Sequence, residues 1–170
     1  MKPTATRSPL SREDASSRIT AYVYGNVVTL ATVAALTTAS ANSGLGFWYV
    51  LATSFSTFLV HTFAESIGRR ARSDEPLTPA IIRAELRDSL PVLTSGFVPV
   101  AALALAWATD VPGLLAQIAA MAYLIVRLAL IGPVVASIRS EPASFRTFVA
   151  GVGLAVVGVG IALIKVTLSS

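Results

Sequence analysis

FWYVLATSFSTFLVHTFAESIGRRAR, residues 47–72, decides how the rest of the chain is read. It opens on Phe47-Trp48-Tyr49, an aromatic cluster of the kind that settles at a membrane–water boundary. About twenty mostly apolar residues follow, enough helix to cross a hydrocarbon layer roughly 30 Å thick at ~1.5 Å per residue. The stretch ends on Arg69, Arg70 and Arg72, a basic stop at the opposite boundary. Inside this apolar helix sit His61 and Glu65, four residues apart and therefore on one face, one turn from each other. Ionisable groups within a span are costly and mark functional positions by default; the plainer alternative is that they bond only to each other and to a neighbouring helix.

Working outward, the whole chain has the same character. Of its 170 residues 54% are hydrophobic and only 13% charged, against roughly 25% charged in ordinary soluble domains. Mean hydropathy is +0.72. The absence of cysteine removes any disulfide framework or thiolate metal site. Residues 1–18 are polar and Pro-containing and read as a flexible tail, with a short interfacial helix from Ser11 to Ser17; they lack the apolar core of a cleavable signal, so the first span serves as an uncleaved one.

The pattern predicts an all-α membrane bundle of five transmembrane helices in one domain, 19–170. Span one runs from about Ile19 to Ala41, with Tyr24 and Asn26 among its polar residues. Asn42-Ser43-Gly44 turns the chain into span two, the stretch quoted above. The cytoplasmic loop 69–90 ends in a short amphipathic helix, lying on the membrane surface or packing under the bundle: Thr78 caps it, Pro79 starts it, and Ile81, Ile82, Leu86 and Leu90 line one side. Span three follows from about Val92 to Thr109, bent by Pro99. Asp110-Val-Pro-Gly113 turns into span four, about Leu114 to Ile138, which contains Arg127. Span five covers about Phe145 to Val166. Lys and Arg fall before span one, between spans two and three and between spans four and five, while the other two connections have neither. The N-terminus is therefore expected in the cytoplasm and the C-terminus outside.

His61, Glu65 and Arg127 are then the ionisable residues at membrane depth. A buried guanidinium needs an acceptor, and Glu65 is the one carboxylate predicted within a span, so a Glu65–Arg127 pair is expected with His61 one turn away. Such a pair either orients the bundle as a structural ion pair or belongs to a proton or cation relay, in which His61 supplies a group that titrates near neutral pH. His61 and Glu65 offer two of the three or more ligands a metal site needs. In span five Gly151, Ala155, Gly158 and Ala162 form a small-residue stripe, suited either to packing within the bundle or to a homodimer. No nucleophile–base pair, phosphate-binding loop or nucleic-acid signature stands out; neither an enzyme, a cofactor nor a nucleic-acid partner is expected, and the lipid bilayer is the main partner.

Several segments carry a family resemblance. Tyr24-Gly-Asn-Val-Val-Thr-Leu-Ala-Thr-Val-Ala-Ala35, His61-Thr-Phe-Ala-Glu-Ser-Ile-Gly-Arg-Arg70, Ser95-Gly-Phe-Val-Pro-Val100 and Phe145-Arg-Thr-Phe-Val-Ala-Gly-Val-Gly153 are similar to the first, second, third and last spans of the vacuolar iron transporter family. Tyr24 or Gly25 stands where that family has an acid. Its glutamate-rich, metal-binding cytoplasmic domain shrinks here to about Arg72–Leu90. The chain also resembles small actinobacterial membrane proteins with a His-x-x-x-Glu second span. The iron-transporter resemblance implies a five-span fold, a homodimer, a path near spans one and two, and proton-coupled movement of a divalent metal cation. The alternative is a non-transporting membrane subunit or scaffold.

Overall fold

A computed structural model describes residues 12–72, 78–109, 111–132, 135, 145, 149, 152–153, 156–158, 160 and 164. The described residues are all-helical. Among the described residues five helices have defined bounds, in order α1 (Arg12–Ala35), α2 (Thr38–Asn42), α3 (Gly44–Arg72), α4 (Pro79–Ala108) and α5 (Gly113–Ala129). α3 and α4 are each long and apolar enough to cross a membrane; α5 is a shorter apolar helix. The expected fifth span, with Gly151, Ala155 and Ala162, lies largely outside the described residues.

α1 begins seven residues earlier than the expected span and absorbs the predicted interfacial helix, so residues 12–18 are helical and not tail. It also ends earlier, at Ala35. The break has a local cause. Thr37 takes an extended conformation and its hydroxyl accepts a hydrogen bond from the Ser40 amide, capping the one-turn α2. The carbonyls released at the end of α1 are claimed by one buried side chain: Gln117 Nε2 of α5 donates to Val33 O at 2.8 Å and Leu36 O at 3.1 Å. The predicted turn at Asn42–Gly44 is present, and Asn42 Oδ1 accepts the Gly113 amide at 2.7 Å, tying it to the start of α5.

The larger correction concerns α4. The expected amphipathic helix ending at Leu90 and the span beginning at Val92 are one 30-residue helix. Thr78 and Pro79 start it as expected, with the Thr78 hydroxyl accepting from the Ile81 amide. Pro91 and Pro99 both lie inside it. Each proline removes one hydrogen bond, leaving the carbonyls of Arg87 and Ser95 without their helical donor. Continuity through Pro91 is held by what the first turns bury: Glu85 and Asp88 are each 3% exposed, and Ser89 and Val92 fully buried. A helix lying flat on a surface would leave those carboxylates in water.

The main apolar core joins α1, α2, α3, α4 and α5 through Leu30, Val33, Ala41, Val50, Leu103, Ala120, Leu124 and Leu128. A smaller cluster of Ala21, Phe58 and Val92 sits between α1, α3 and α4. Backbones approach closely there: a Cβ on Gly25 would lie 2.6 Å from Val92 Cα, so only glycine fits at that crossing. Outside, large apolar side chains are exposed, among them Phe55, Leu59, Val60 and Phe63 on α3 and Phe97 and Leu105 on α4.

Candidate functional site

α1, α3 and α4 meet along a seam of polar side chains that runs past the Ala21–Phe58–Val92 cluster. On α1 Asn26 and Thr29 are buried; on α3, Ser54 and His61; on α4, Glu85, Asp88, Ser89 and Ser95. α3 and α4 run past each other so that Ser54 lies against Gly96, Phe58 against Val92, and Arg69 near Glu85. This order sets His61 and Ser89 at neighbouring positions of the seam, one turn further along from Phe58 and Val92.

Part of the seam is satisfied internally. Ser95 Oγ donates to Val92 O at 2.6 Å, and Thr29 Oγ1 lies 2.8 Å from Ser95 Oγ. A hydroxyl has one proton, so Thr29 is the donor in that pair. Asn26 Nδ2 donates to Tyr22 O at 2.6 Å. Among the described residues, four buried atoms outside the Arg69–Glu85 contact have no hydrogen-bond partner: Asn26 Oδ1, Ser54 Oγ, His61 Nε2 and Ser89 Oγ. Uncompensated polar atoms cost free energy, and in native structures they are commonly met by water or an ion.

His61 is 8% exposed, and its ring stacks on Tyr24 of α1 with centroids 6.0 Å apart and planes at 25°. Glu65 lies one turn further along α3 and is half-buried. Tyr24 is itself 45% exposed, so the stack connects a buried imidazole to the outer surface of the helix bundle.

The expected Glu65–Arg127 pair is not formed. Arg127 Nη1 donates to Thr94 O at 3.1 Å and reaches Tyr123 Oη at 3.5 Å. Its guanidinium carbon stands 4.8 Å from the centroid of the Tyr22 ring and 5.7 Å from that of Tyr123. Tyr22 Oη returns a bond of 2.8 Å to Arg127 O. Two π faces and a carbonyl in the turn before Pro99 thus take the place of a carboxylate. The separation follows from helix geometry: Tyr22 and Tyr24 are about 200° apart around α1, so Arg127 and His61 occupy different flanks of it.

The carboxylates that do form ion pairs, Glu85 and Asp88, lie in the expected amphipathic helix, and their burial favours its packing against the bundle over a place on the membrane surface. Arg18 Nε bonds Asp88 Oδ1 at 2.7 Å, linking α1 to α4. Arg69 Nε lies 3.3 Å from Glu85 Oε1, linking α3 to α4 in a longer, mainly Coulombic contact. Glu65 is therefore not the single carboxylate within a helix of the bundle. Their signal in the sequence was the spacing of Glu85, Asp88 and Ser89 with Val92, which places all four on one side of a continuous helix.

Gly158 belongs to the interior of the chain. A Cβ there would lie 2.5 Å from Leu30 Cδ2 and 3.7 Å from Ile125 Cγ1, so this member of the small-residue stripe packs against α1 and α5. Among the described residues no three His, Asp or Glu side chains gather as a metal-binding group.

Comparison of the chain with protein-family models, with curated proteins and with solved structures gives no match in any of the three.

Proposed function

We propose that the chain is a five-span membrane protein, N-terminus in the cytoplasm, that moves a divalent metal cation coupled to protons along the α1–α3–α4 seam. The observation that carries this reading is the set of buried, unpartnered polar atoms there: Asn26 Oδ1, Ser54 Oγ, His61 Nε2 and Ser89 Oγ. A seam that existed only for packing gains nothing from orphaned polar atoms, whereas a permeating ion or its water satisfies them in passing. His61 is a group able to exchange a proton, and its ring stacks on the exposed Tyr24. The divalent cargo and a homodimer are what the resemblance to the vacuolar iron transporter family contributes. Arg18 and Arg69 neutralise Asp88 and Glu85, which leaves neutral oxygens, the His61 imidazole and the half-buried Glu65 one turn along α3 to handle the cation.

Two boundary markers support the membrane placement. Trp48 on α3 and Trp107 on α4 are exposed at one end of the helix pair, where Phe47 and Trp107 stack 6.3 Å apart. Arg70 and Arg87 are exposed at the other end, next to the Arg69–Glu85 contact. From Trp48 to Arg70 is about 33 Å of helix and from Arg87 to Trp107 about 30 Å, both close to the thickness of a hydrocarbon core. An aromatic girdle and an arginine girdle in register on two antiparallel helices fit one slab.

The second reading is a non-transporting membrane scaffold. It is favoured by a specific feature, the locking of three helices by Arg18–Asp88 and Arg69–Glu85. Flux of divalent metals and of protons into liposomes containing the purified protein separates the two: coupled uptake supports transport, and sealed liposomes at every gradient support the scaffold.

A further inference from the structure

The outward side of α4 changes chemistry along its length. Arg83, Arg87, Leu90, Thr94, Phe97, Ala101 and Leu105 are all exposed, and their spacing of four and three places them on one stripe. Two guanidinium groups lead it, and apolar side chains follow, interrupted by Thr94. Ile82 and Leu86, also exposed, flank the arginines on the same side. The described acids of α4 do not neutralise this end. Glu85 and Asp88 turn inward to Arg69 and Arg18, and neither Arg83 nor Arg87 forms an ion pair with a described residue. The ion pairs of the seam therefore act on the surface as well: by drawing both carboxylates inside, they leave a basic pair exposed at the start of an apolar stripe.

We propose that Arg83 and Arg87 form a binding site for the headgroup of an anionic phospholipid whose acyl chain lies along Leu86, Leu90 and Phe97. The occupant follows from complementarity. Two arginines one turn apart offer a fork of donors to a phosphate and a net positive field to an anionic headgroup. The apolar stripe continuing from them suits a chain attached to that phosphate, which free phosphate lacks. Arg70, exposed at the end of α3, adds to the same field. The site rests on the membrane reading above.

The test uses the full-length chain in detergent, titrated with dioleoylphosphatidylglycerol or dioleoylphosphatidylcholine and followed by native mass spectrometry. The parent binds the glycerol lipid in preference to the choline lipid. Arg83→Gln with Arg87→Gln weakens the glycerol lipid by about tenfold and abolishes the preference, while Arg83→Lys with Arg87→Lys keeps most of it. Arg87→Glu, a single change on the exposed face, inverts the preference and serves if the double variant does not fold. Equal binding of both lipids by the parent, or an undiminished preference in Arg87→Glu, overturns the site. Displacement of the glycerol lipid by inorganic phosphate at matched concentration overturns the lipid as occupant. Alkaline extraction of the parent from choline-lipid liposomes separates the two claims: release into the supernatant refutes the membrane reading, whereas retention with no lipid preference refutes this site alone.

Discussion

Arg18 and Asp88, seventy residues apart in sequence, meet in a 2.7 Å charge-assisted hydrogen bond, with the carboxylate side chain 5% exposed and the guanidinium side chain 21%. This contact and the Arg69–Glu85 pair decide how the first turns of α4 sit: inside the bundle, with their arginines outside.

Removing one partner strands the other. Asp88→Asn and Arg18→Leu should each destabilise the protein, by up to about 3 kcal/mol where the surviving charge stays buried and by less where it reaches water. The double variant should recover much of the loss, giving a strong coupling in a thermal-stability cycle. Glu65→Gln and Arg127→Leu should show simple addition, since the two residues share no contact. Coupling between Glu65 and Arg127 in that second cycle would contradict the structure.

Arg127 is held by rings and a carbonyl, so its partners can be separated by chemistry. Tyr22→Phe keeps the π face and loses the hydroxyl bond to Arg127 O, at a cost of about 1 kcal/mol. Tyr22→Leu loses both and should cost about twice as much. Equal losses in thermal unfolding would mean that the ring face contributes nothing.

Much of this architecture was legible in the sequence. The α3 span, its aromatic and basic ends, the Thr78–Pro79 start and the turn at Asn42–Gly44 all rest on local signals, which helices read directly. What stayed hidden depends on tertiary partners. Pro91 close to Arg87 and Asp88 has the composition of a break, and the partners that bury Glu85, Asp88 and Val92 against α1 and α3 favour a continuous helix. For Arg127, charge in the sequence points to a carboxylate, while the tyrosine faces and the free carbonyl that hold it leave no such signal. Gln117 looks like one polar residue in an apolar helix until the end of α1 is set beside it.

Gly158 faces Leu30, so its replacement tests packing within one chain. Gly158→Leu should lower the thermal stability by roughly 1–3 kcal/mol through overpacking. The oligomeric state in detergent should stay as it is in the parent. Conversion of a dimer to a stable monomer would move this residue to an interface between chains.

Orientation can be read with single cysteines in an otherwise cysteine-free chain. Val111 and Ala80 are both exposed, at opposite ends of α4. Val111→Cys should react with an impermeant maleimide added to intact cells, and Ala80→Cys only after lysis. The reverse labelling pattern would invert the proposed topology.

The most direct measurement is metal-driven proton movement by the parent and by His61→Gln in sealed liposomes of equal protein content, followed with a pH-sensitive dye inside and an isotopic divalent cation outside. The transport account predicts cation uptake with matching proton movement in the parent, and loss of the proton signal in a His61→Gln variant that keeps the parent's thermal stability. Equal proton and cation traces for the two proteins, or no flux in the parent, would contradict it.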